Sequence, residues 1–124
     1  MTTTTTFEAL ARGYVDAWNQ TEPAALRAAV DELFSPEVRY IDPLVDVTGR
    51  EALVATIAAV HEQFPGFTFR LAGPVDGHHD QARFGWELGP EGIEAPIVGF
   101  DVAVTDEVGR IRQVHGFLDR VPTA

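Results

Sequence analysis

Apolar residues recur at helical spacing through the first third of the chain. After a threonine-rich start, one continuous stripe has the i, i+3, i+4 and i+7 spacing of a helix and comprises Phe7, Leu10, Ala11, Tyr14, Ala17 and Trp18. A second stripe follows Pro23, a residue suited to the first turn of a helix, and comprises Leu26, Ala29, Val30, Leu33 and Phe34. The pattern predicts two consecutive amphipathic helices, with residues 1–6 as a disordered lead-in.

A third helix is predicted after residue 48. Thr48 and Glu51 have the spacing of a capping box, in which the threonine caps the helix and the glutamate reaches back. The positions expected to face inward are Leu53, Ile57, Val60 and Phe64. Pro65 and Gly66 then end the helix, which makes it the best-delimited element in the sequence.

Alternation with a period of two predicts strands on both sides of the third helix. A short strand runs from Val38 to Asp42 and ends at Pro43, which cannot donate a ladder hydrogen bond. Four later strands are joined by hairpin-length turns, and their apolar positions include Phe67, Phe69 and Leu71, then Ala82, Phe84, Trp86 and Leu88, then Val98, Phe100, Val102 and Val104, then Ile111 and Phe117. Helices gathered early and antiparallel strands late predict an α+β fold, in which a strongly curved sheet wraps the helices as a cone.

Composition limits the classes of function. The 124 residues suit one domain, which we place at residues 7–122, and the formal net charge of −10 disfavours nucleic acid and anionic membranes as partners. The chain has no cysteine for thiolate chemistry, and all nine basic residues are arginine, so a Schiff-base lysine is also excluded. Because no secretory or transmembrane segment is apparent, we expect a soluble cytoplasmic protein.

One acidic residue interrupts an otherwise apolar strand face. Val38, Tyr40 and Asp42 share that face, so a carboxylate and a phenol lie side by side. If Asp42 faced an enclosed apolar space, loss of hydration would make it a better base near neutral pH. The alternative is that Asp42 caps a turn, because Asp before Pro is common in turns, and this pattern alone leaves both interpretations open.

Several segments together resemble the NTF2-like superfamily, specifically its SnoaL-like polyketide cyclase and ketosteroid isomerase branch. The matching segments are Tyr14-Val15-x-x-Trp18-Asn19, Tyr40-x-Asp42-Pro43, the helix after Gly49, Ala95-Pro96-Ile97, Gly99-Phe100-Asp101-Val102 and Gly109-Arg110-Ile111. The resemblance covers residues 7–122 and implies a cone of three N-terminal helices packed in a strongly curved, mostly antiparallel sheet. It specifies function less closely, because this fold hosts many activities and some non-enzymes.

The resemblance implies a catalytic pair. In ketosteroid isomerases a helical tyrosine donates to the developing enolate oxygen and an aspartate before a proline moves the proton, and Tyr14 and Asp42 match these positions. A third acid of the isomerases falls on Val98 here, and alternation puts Asp101 on the opposite face, which makes it a poor substitute. In the SnoaL-like cyclases an acid lies in the last strand, where this chain has Gly116.

The expected site is therefore an apolar pocket for a carbonyl compound. Candidate ligand contacts are Trp18, Tyr40, Phe64, Trp86, Val98, Phe100, His115 and Phe117. The resemblance implies cofactor-free isomerisation or aldol-type cyclisation, because the carbonyl of the substrate can hold the developing charge. For Tyr14, the aromatic residues and His115, ordinary structural roles remain open.

Three further expectations complete the sequence-based picture. No metal is expected, because His78, His79 and Asp80 are adjacent in a turn and rarely converge on one ion from such positions. A homodimer through the open sheet face is expected. The rival function is a non-catalytic ligand-binding or dimerisation module, which is favoured by Val98 and Gly116 standing where family enzymes have acids.

Overall fold

A computed structural model describes residues 6–122, and within this range it has three helices and six strands. The helices are α1 (Phe7–Trp18), α2 (Pro23–Leu33) and α3 (Arg50–Gln63), and the strands are β1 (Phe34–Ile41), β2 (Asp46–Thr48), β3 (Thr68–His78), β4 (Gln81–Gly89), β5 (Ile97–Thr105) and β6 (Ile111–Arg120). The strands form one sheet in the order β2-β1-β6-β5-β4-β3, in which only the β1–β6 pair is parallel. The predicted α+β architecture, with helices packed on a mostly antiparallel curved sheet, is confirmed.

Helix α1 is the predicted amphipathic helix, and it packs its apolar face against β3 and β4. Its first turn is capped by Thr6, whose Oγ1 accepts a hydrogen bond of 3.0 Å from the Ala9 N–H. Thr6 thus belongs to the ordered fold, whereas the rest of the predicted lead-in lies outside the described residues. No helix in the described range has the length and apolarity to cross a bilayer.

The predicted start of α3 is wrong. Thr48 is not the N-cap, because it belongs to the short strand β2, where its backbone pairs with Arg39 of β1. The sequence did not predict β2. The cap is Gly49, whose φ of 97° suits glycine and whose N–H donates to the Val38 carbonyl over 2.7 Å. No side-chain hydrogen bond caps the helix, so Glu51 does not complete a capping box.

Strand β5 has the predicted bounds but turns the other face inward. The buried positions are Ile97, Gly99, Asp101 and Ala103, while the predicted apolar face is partly exposed and comprises Val98, Phe100, Val102 and Val104. Gly99 pairs with Trp86 on β4, and the Trp86 indole fills the space that a β-carbon at position 99 would need. The small inward side chains of β5 therefore make room for the large ones of β4, whose predicted inward face is confirmed.

A bulge in β6 changes the face that its middle residues occupy. Ile111 pairs with Thr105 and Gln113 with Val104, so β6 has one more residue than β5 at this point. As a result Ile111 and Val114 are both buried, although they are an odd number of residues apart. His115 and Phe117, which lie one and three residues after Val114, consequently face away from the core.

Candidate functional site

An apolar cavity of about 340 Å³ lies between α1, α3 and the inner face of the sheet. Its apolar wall comprises Val15, Trp18, Leu44, Val60, Phe64, Phe69, Trp86, Leu88, Ile97, Leu118, Val121 and Pro122. Its polar members are Tyr14, Tyr40, Asp42, Gln63 and Asp101. A larger depression of about 840 Å³ near Asn19 and Glu91 is open to solvent and contains none of the predicted site residues, so the chemistry is concentrated in the smaller cavity.

The structure brings part of the sequence-predicted site together. The predicted residues that line the cavity are Tyr14, Trp18, Tyr40, Asp42, Phe64 and Trp86. The other four predicted contacts, Val98, Phe100, His115 and Phe117, are not among the residues that line this cavity. Val98 and Phe100 lie on the outer face of β5, and the β6 bulge directs His115 and Phe117 away from the core, which leaves Phe117 56% exposed.

Asp42 both caps a turn and lines the cavity, which are the two alternatives that the sequence left open. Its Oδ1 accepts hydrogen bonds from the N–H groups of Leu44 (2.8 Å) and Val45 (3.0 Å), which is the chemistry of a capped turn. Its Oδ2 accepts a hydrogen bond of 2.7 Å from the Tyr40 hydroxyl at the cavity wall. The half-buried carboxylate therefore holds the turn after β1 with one oxygen and contacts a cavity phenol with the other.

Tyr40 and Tyr14 are buried phenols that stay protonated near neutral pH. Burial raises the pKa of Tyr40 well above its usual value, and the negative charges of Asp101 and Asp42 raise it further. Burial likewise raises the pKa of Tyr14, followed by the charge of Asp101. Both hydroxyl groups thus keep their protons and can donate hydrogen bonds in the neutral range.

The ring of Tyr14 is fixed by other aromatic rings. The ring centroids of Trp18 and Phe34 each lie 6.0 Å from that of Tyr14, and the centroid of Phe84 lies 5.1 Å away. Only 3% of Tyr14 is exposed. The aromatic packing consequently gives the hydroxyl a defined position at the cavity.

Asp101 is the site residue that the sequence reasoning dismissed. It is 1% exposed, and burial raises the pKa of its carboxyl group to about 6. The nearby Tyr14 hydroxyl and Trp86 N–H favour the charged form and oppose this rise, while the charge of Asp42 adds to it. Neither donor reaches Oδ1 with the geometry of a hydrogen bond, so this buried oxygen has no partner among the described residues.

A signal for Asp101 does exist in the sequence. Gly99, Asp101 and Ala103 are small or polar residues that alternate with four bulky apolar residues, Val98, Phe100, Val102 and Val104. Small residues at alternate positions can mark the crowded side of a strand, which faces the core. Asp101 lies on that side of β5. The alternation of β5 is as predicted, but the face that lies inside is the one predicted to lie outside.

The carboxyl group of Asp101 lies directly in front of Gly116. The two residues are register partners on β5 and β6. A β-carbon at position 116 would lie 2.9 Å from Asp101 Oδ1 and 3.2 Å from Asp42 Cβ. Asp101 thus occupies, from the neighbouring strand, the space that a side chain at position 116 would need, and it lines the cavity itself.

Comparison with known proteins gives a consistent family match. The profile of the family described as SnoaL-like domain matches residues 11–114. A proposed isomerase of the SnoaL-like family from Agrobacterium tumefaciens is 36% identical, with a TM-score of 0.88 over 94% of this chain and 99% of that chain. No curated protein matches significantly.

More distant solved structures share the fold. A proposed SnoaL-like polyketide cyclase from Jannaschia has a TM-score of 0.68 at 18% identity, over 89% of this chain and 85% of that chain. An NTF2-like protein of unknown function from Cytophaga hutchinsonii has a TM-score of 0.68 at 14% identity, over 96% of this chain and 95% of that chain. These matches confirm the predicted NTF2-like cone.

Proposed function

The chain belongs to the SnoaL-like family, and from this premise we propose that it catalyses cofactor-free proton transfer next to a carbonyl group. The reaction is isomerisation or aldol-type cyclisation of an apolar ketone or polyketide-like substrate. The observation that carries the proposal is that the Tyr14 phenol and the Asp42 carboxylate line one apolar cavity. The name of the Agrobacterium relative, a proposed isomerase, agrees with this reaction class.

In the proposed reaction Asp42 takes a proton from the carbon next to the carbonyl. The electron pair of the broken C–H bond moves onto the carbonyl oxygen, and Tyr14 donates a hydrogen bond to that oxygen as its charge develops. In an isomerisation the proton on Asp42 returns to another carbon. In a cyclisation the enolate carbon attacks a second carbonyl, whose oxygen finally receives the proton.

Two features of the site support these roles. The Tyr40 hydroxyl and the turn N–H groups hold the Asp42 carboxylate in one orientation, which a base needs in order to meet a C–H bond. The raised pKa of Tyr14 keeps its proton available as a donor. No cofactor is part of the proposal, because the carbonyl oxygen itself accepts the electron pair.

Exchange of substrate protons with D₂O tests the proposal even when the product is unidentified. Cyclic β,γ-unsaturated ketones and 1,3-diketones serve as substrates, and NMR measures the loss of the proton next to the carbonyl. Asp42→Asn is expected to reduce the exchange rate by at least about a hundredfold, the usual contribution of a general base. Asp16→Asn removes the same charge from the exposed face of α1 and is the matched control. Exchange that is unchanged in Asp42→Asn and in Tyr14→Phe would contradict the proposal.

A non-catalytic ligand-binding module is the second candidate. It is favoured by the hydrogen bonds that already occupy both oxygens of Asp42 and by the absence of a side chain at Gly116. A planar phenol separates the two functions, because it resembles an enolate. Binding that is weakened by Tyr14→Phe supports the enzyme, whereas equal binding of an apolar molecule of the same shape supports a simple pocket.

We also propose that the protein forms a homodimer through the outer face of the sheet. The partly exposed apolar residues of β5 and the exposed ring of Phe117 lie on this face. A second copy covering them would remove apolar surface from water while leaving the cavity free on the other face.

A further inference from the structure

The protein leaves the buried carboxyl group of Asp101 incompletely satisfied. Asp101 Oδ1 has no hydrogen-bond partner within the described range, although the residue lines the cavity and is 1% exposed. A buried acceptor without a donor is destabilising, and native proteins rarely keep one without a reason. A donor supplied by a bound molecule would remove this deficit.

The groups around Asp101 are hydrogen-bond donors or further negative charge. Helix α1 contributes Tyr14, and β1 with its following turn contributes Tyr40 and Asp42, which are the titratable groups on this side. Strand β4 contributes the indole N–H of Trp86 and β6 contributes Gly116, neither of which titrates. Among the described residues that line the cavity, none is Arg, Lys or His.

The electrostatics of the cavity therefore disfavour a bound anion. Two carboxyl groups, Asp42 and Asp101, face a mainly apolar space with no cation to balance a third negative charge. The size of the cavity limits the ligand as well. A volume of about 340 Å³ equals that of about eleven water molecules at ~30 Å³ each, which suits a molecule with one or two rings.

We propose that Asp101 determines which ligand the cavity accepts: its carboxylate accepts a hydrogen bond from a ligand hydroxyl and excludes anionic ligands. Tyr14 and Asp101 are neighbours, so the site offers a donor and an acceptor side by side. A compound with a carbonyl and a nearby hydroxyl matches this pair, as in the enol of a 1,3-diketone or a β-hydroxy ketone. The carbonyl half of this assignment rests on the proposed function, whereas the role of Asp101 is testable by binding alone.

Three naphthalene probes test the selectivity by isothermal titration calorimetry. 2-Naphthol can donate a hydrogen bond, 2-methoxynaphthalene cannot, and 2-naphthoate carries a negative charge. At about pH 7.5, where Asp101 is ionised, we expect 2-naphthol to bind at least about tenfold more tightly than 2-methoxynaphthalene, because hydrogen bonds to charged groups are strong. 2-Naphthoate is expected to bind most weakly of the three.

Asp101→Asn removes the charge and nearly preserves the shape. The advantage of 2-naphthol should fall to within about twofold, and 2-naphthoate should bind about tenfold more tightly than it does to the natural chain. Asp16→Asn makes the same change in net charge at the surface and should leave the order of the three probes unchanged. If Asp101 served only to stabilise the fold, Asp101→Asn would not increase the affinity for 2-naphthoate.

The natural chain supplies a second test if Asp101→Asn fails to fold. Acidification through about pH 6 protonates Asp101 and should remove both the preference for 2-naphthol and the penalty on 2-naphthoate. The raised pKa values of Tyr14 and Tyr40 keep these phenols protonated throughout. Asp42 is the remaining carboxylate, and Asp42→Asn should retain the pH dependence with its midpoint moved to lower pH, because the charge of Asp42 no longer raises the pKa of Asp101.

Three results would overturn the proposal. They are equal binding of 2-naphthol and 2-naphthoate near neutral pH, a 2-naphthol preference that survives Asp101→Asn, and a preference that strengthens on acidification. The last result would mean that Asp101 acts as a donor rather than an acceptor. The proposed function fails by a different readout, namely proton exchange that is indifferent to Asp42→Asn and Tyr14→Phe.

Discussion

Asp101 and Gly116 face each other across β5 and β6, and the Asp101 carboxyl group fills the space that a side chain at position 116 would enter. The closest approach, 2.9 Å from a β-carbon at 116 to Oδ1, is shorter than carbon–oxygen contacts tolerate. The absence of a side chain at position 116 and the presence of an acid at position 101 are thus linked by sterics. A chain with side chains at both positions would have to displace one of them.

Gly116→Ala is expected to lower the free energy of unfolding by about 1–3 kcal/mol, because the added methyl group overpacks the core against Asp101. Urea denaturation measures the change. Gly13→Ala is the control, since a β-carbon there meets only Leu33 at 3.9 Å and alanine favours the helix by about 0.5–1 kcal/mol. In the Asp101→Ala background the cost of Gly116→Ala should shrink, and full additivity of the two changes would contradict the contact.

Asp101→Asn is expected to stabilise the protein near neutral pH. The folded-state pKa of about 6 exceeds the ordinary value of 3.8, so the folded protein retains a proton that the unfolded chain has already released. The contribution of Asp101 to the free energy of unfolding is therefore fully present below about pH 4 and is lost as the pH rises through 6. The maximal loss is about 3 kcal/mol.

Denaturation of the natural chain and of Asp101→Asn as a function of pH measures this cost. The difference in free energy of unfolding should favour the variant above about pH 6 and should narrow towards pH 4. Asp16→Asn, a surface change of the same charge, should show no such trend. A variant whose deficit in stability grows as the pH rises through 6 would mean that the charge of Asp101 supports the fold.

Tyr14→Phe is expected to raise the pKa of Asp101 above about 6, because the hydroxyl group favours the charged carboxylate. Carbon NMR of selectively labelled aspartate follows the titration directly. Tyr40→Phe is the comparison, since the Tyr40 hydroxyl donates to Asp42 rather than to Asp101, and its effect on the Asp101 titration should be smaller. An unchanged or lower pKa in Tyr14→Phe would mean that the two groups do not interact.

Phe117→Arg is expected to convert the proposed homodimer into monomers. Phe117 is 56% exposed on the outer face of the sheet, and a guanidinium there would meet a copy of itself or an apolar partner surface. Light scattering coupled to size-exclusion chromatography measures the mass. Val108→Arg, at a turn residue that is 70% exposed, is the control and should leave the mass unchanged. A natural chain that is monomeric at high concentration would rule the dimer out.

Sequence periodicity predicted those elements whose two faces differ clearly in polarity. Helix α1 and strand β4 each have one apolar face and one polar face, so both the element and its inward face could be inferred. Strand β5 has bulky apolar residues on the face turned away from the core, and there hydrophobicity selected the wrong side. Which face is inside was decided by the fit of Gly99 beneath the Trp86 indole, and that fit depends on the strand register.

The predicted contacts that do not line the cavity have the same physical cause, namely the way in which the strands pair. The β6 bulge shifts His115 and Phe117 to the outer face. The residue types at positions 111–113 do not predict this bulge. Asp42 and Tyr14 could be inferred because they belong to local motifs of the family. Asp101 acquires its place only when β5 pairs with β4 and β6, which is a long-range property of the folded sheet.

Both tryptophans of this chain, Trp18 and Trp86, stand in the wall of the same cavity. Each indole N–H is buried without a partner in the described range, so neither ring is anchored by a hydrogen bond of its own. Light emitted by indole responds to water and to nearby quenchers, and this chain has no third tryptophan to dilute the signal. The molecule consequently has a built-in optical reporter, with which occupancy of the cavity can be followed in solution without an attached label.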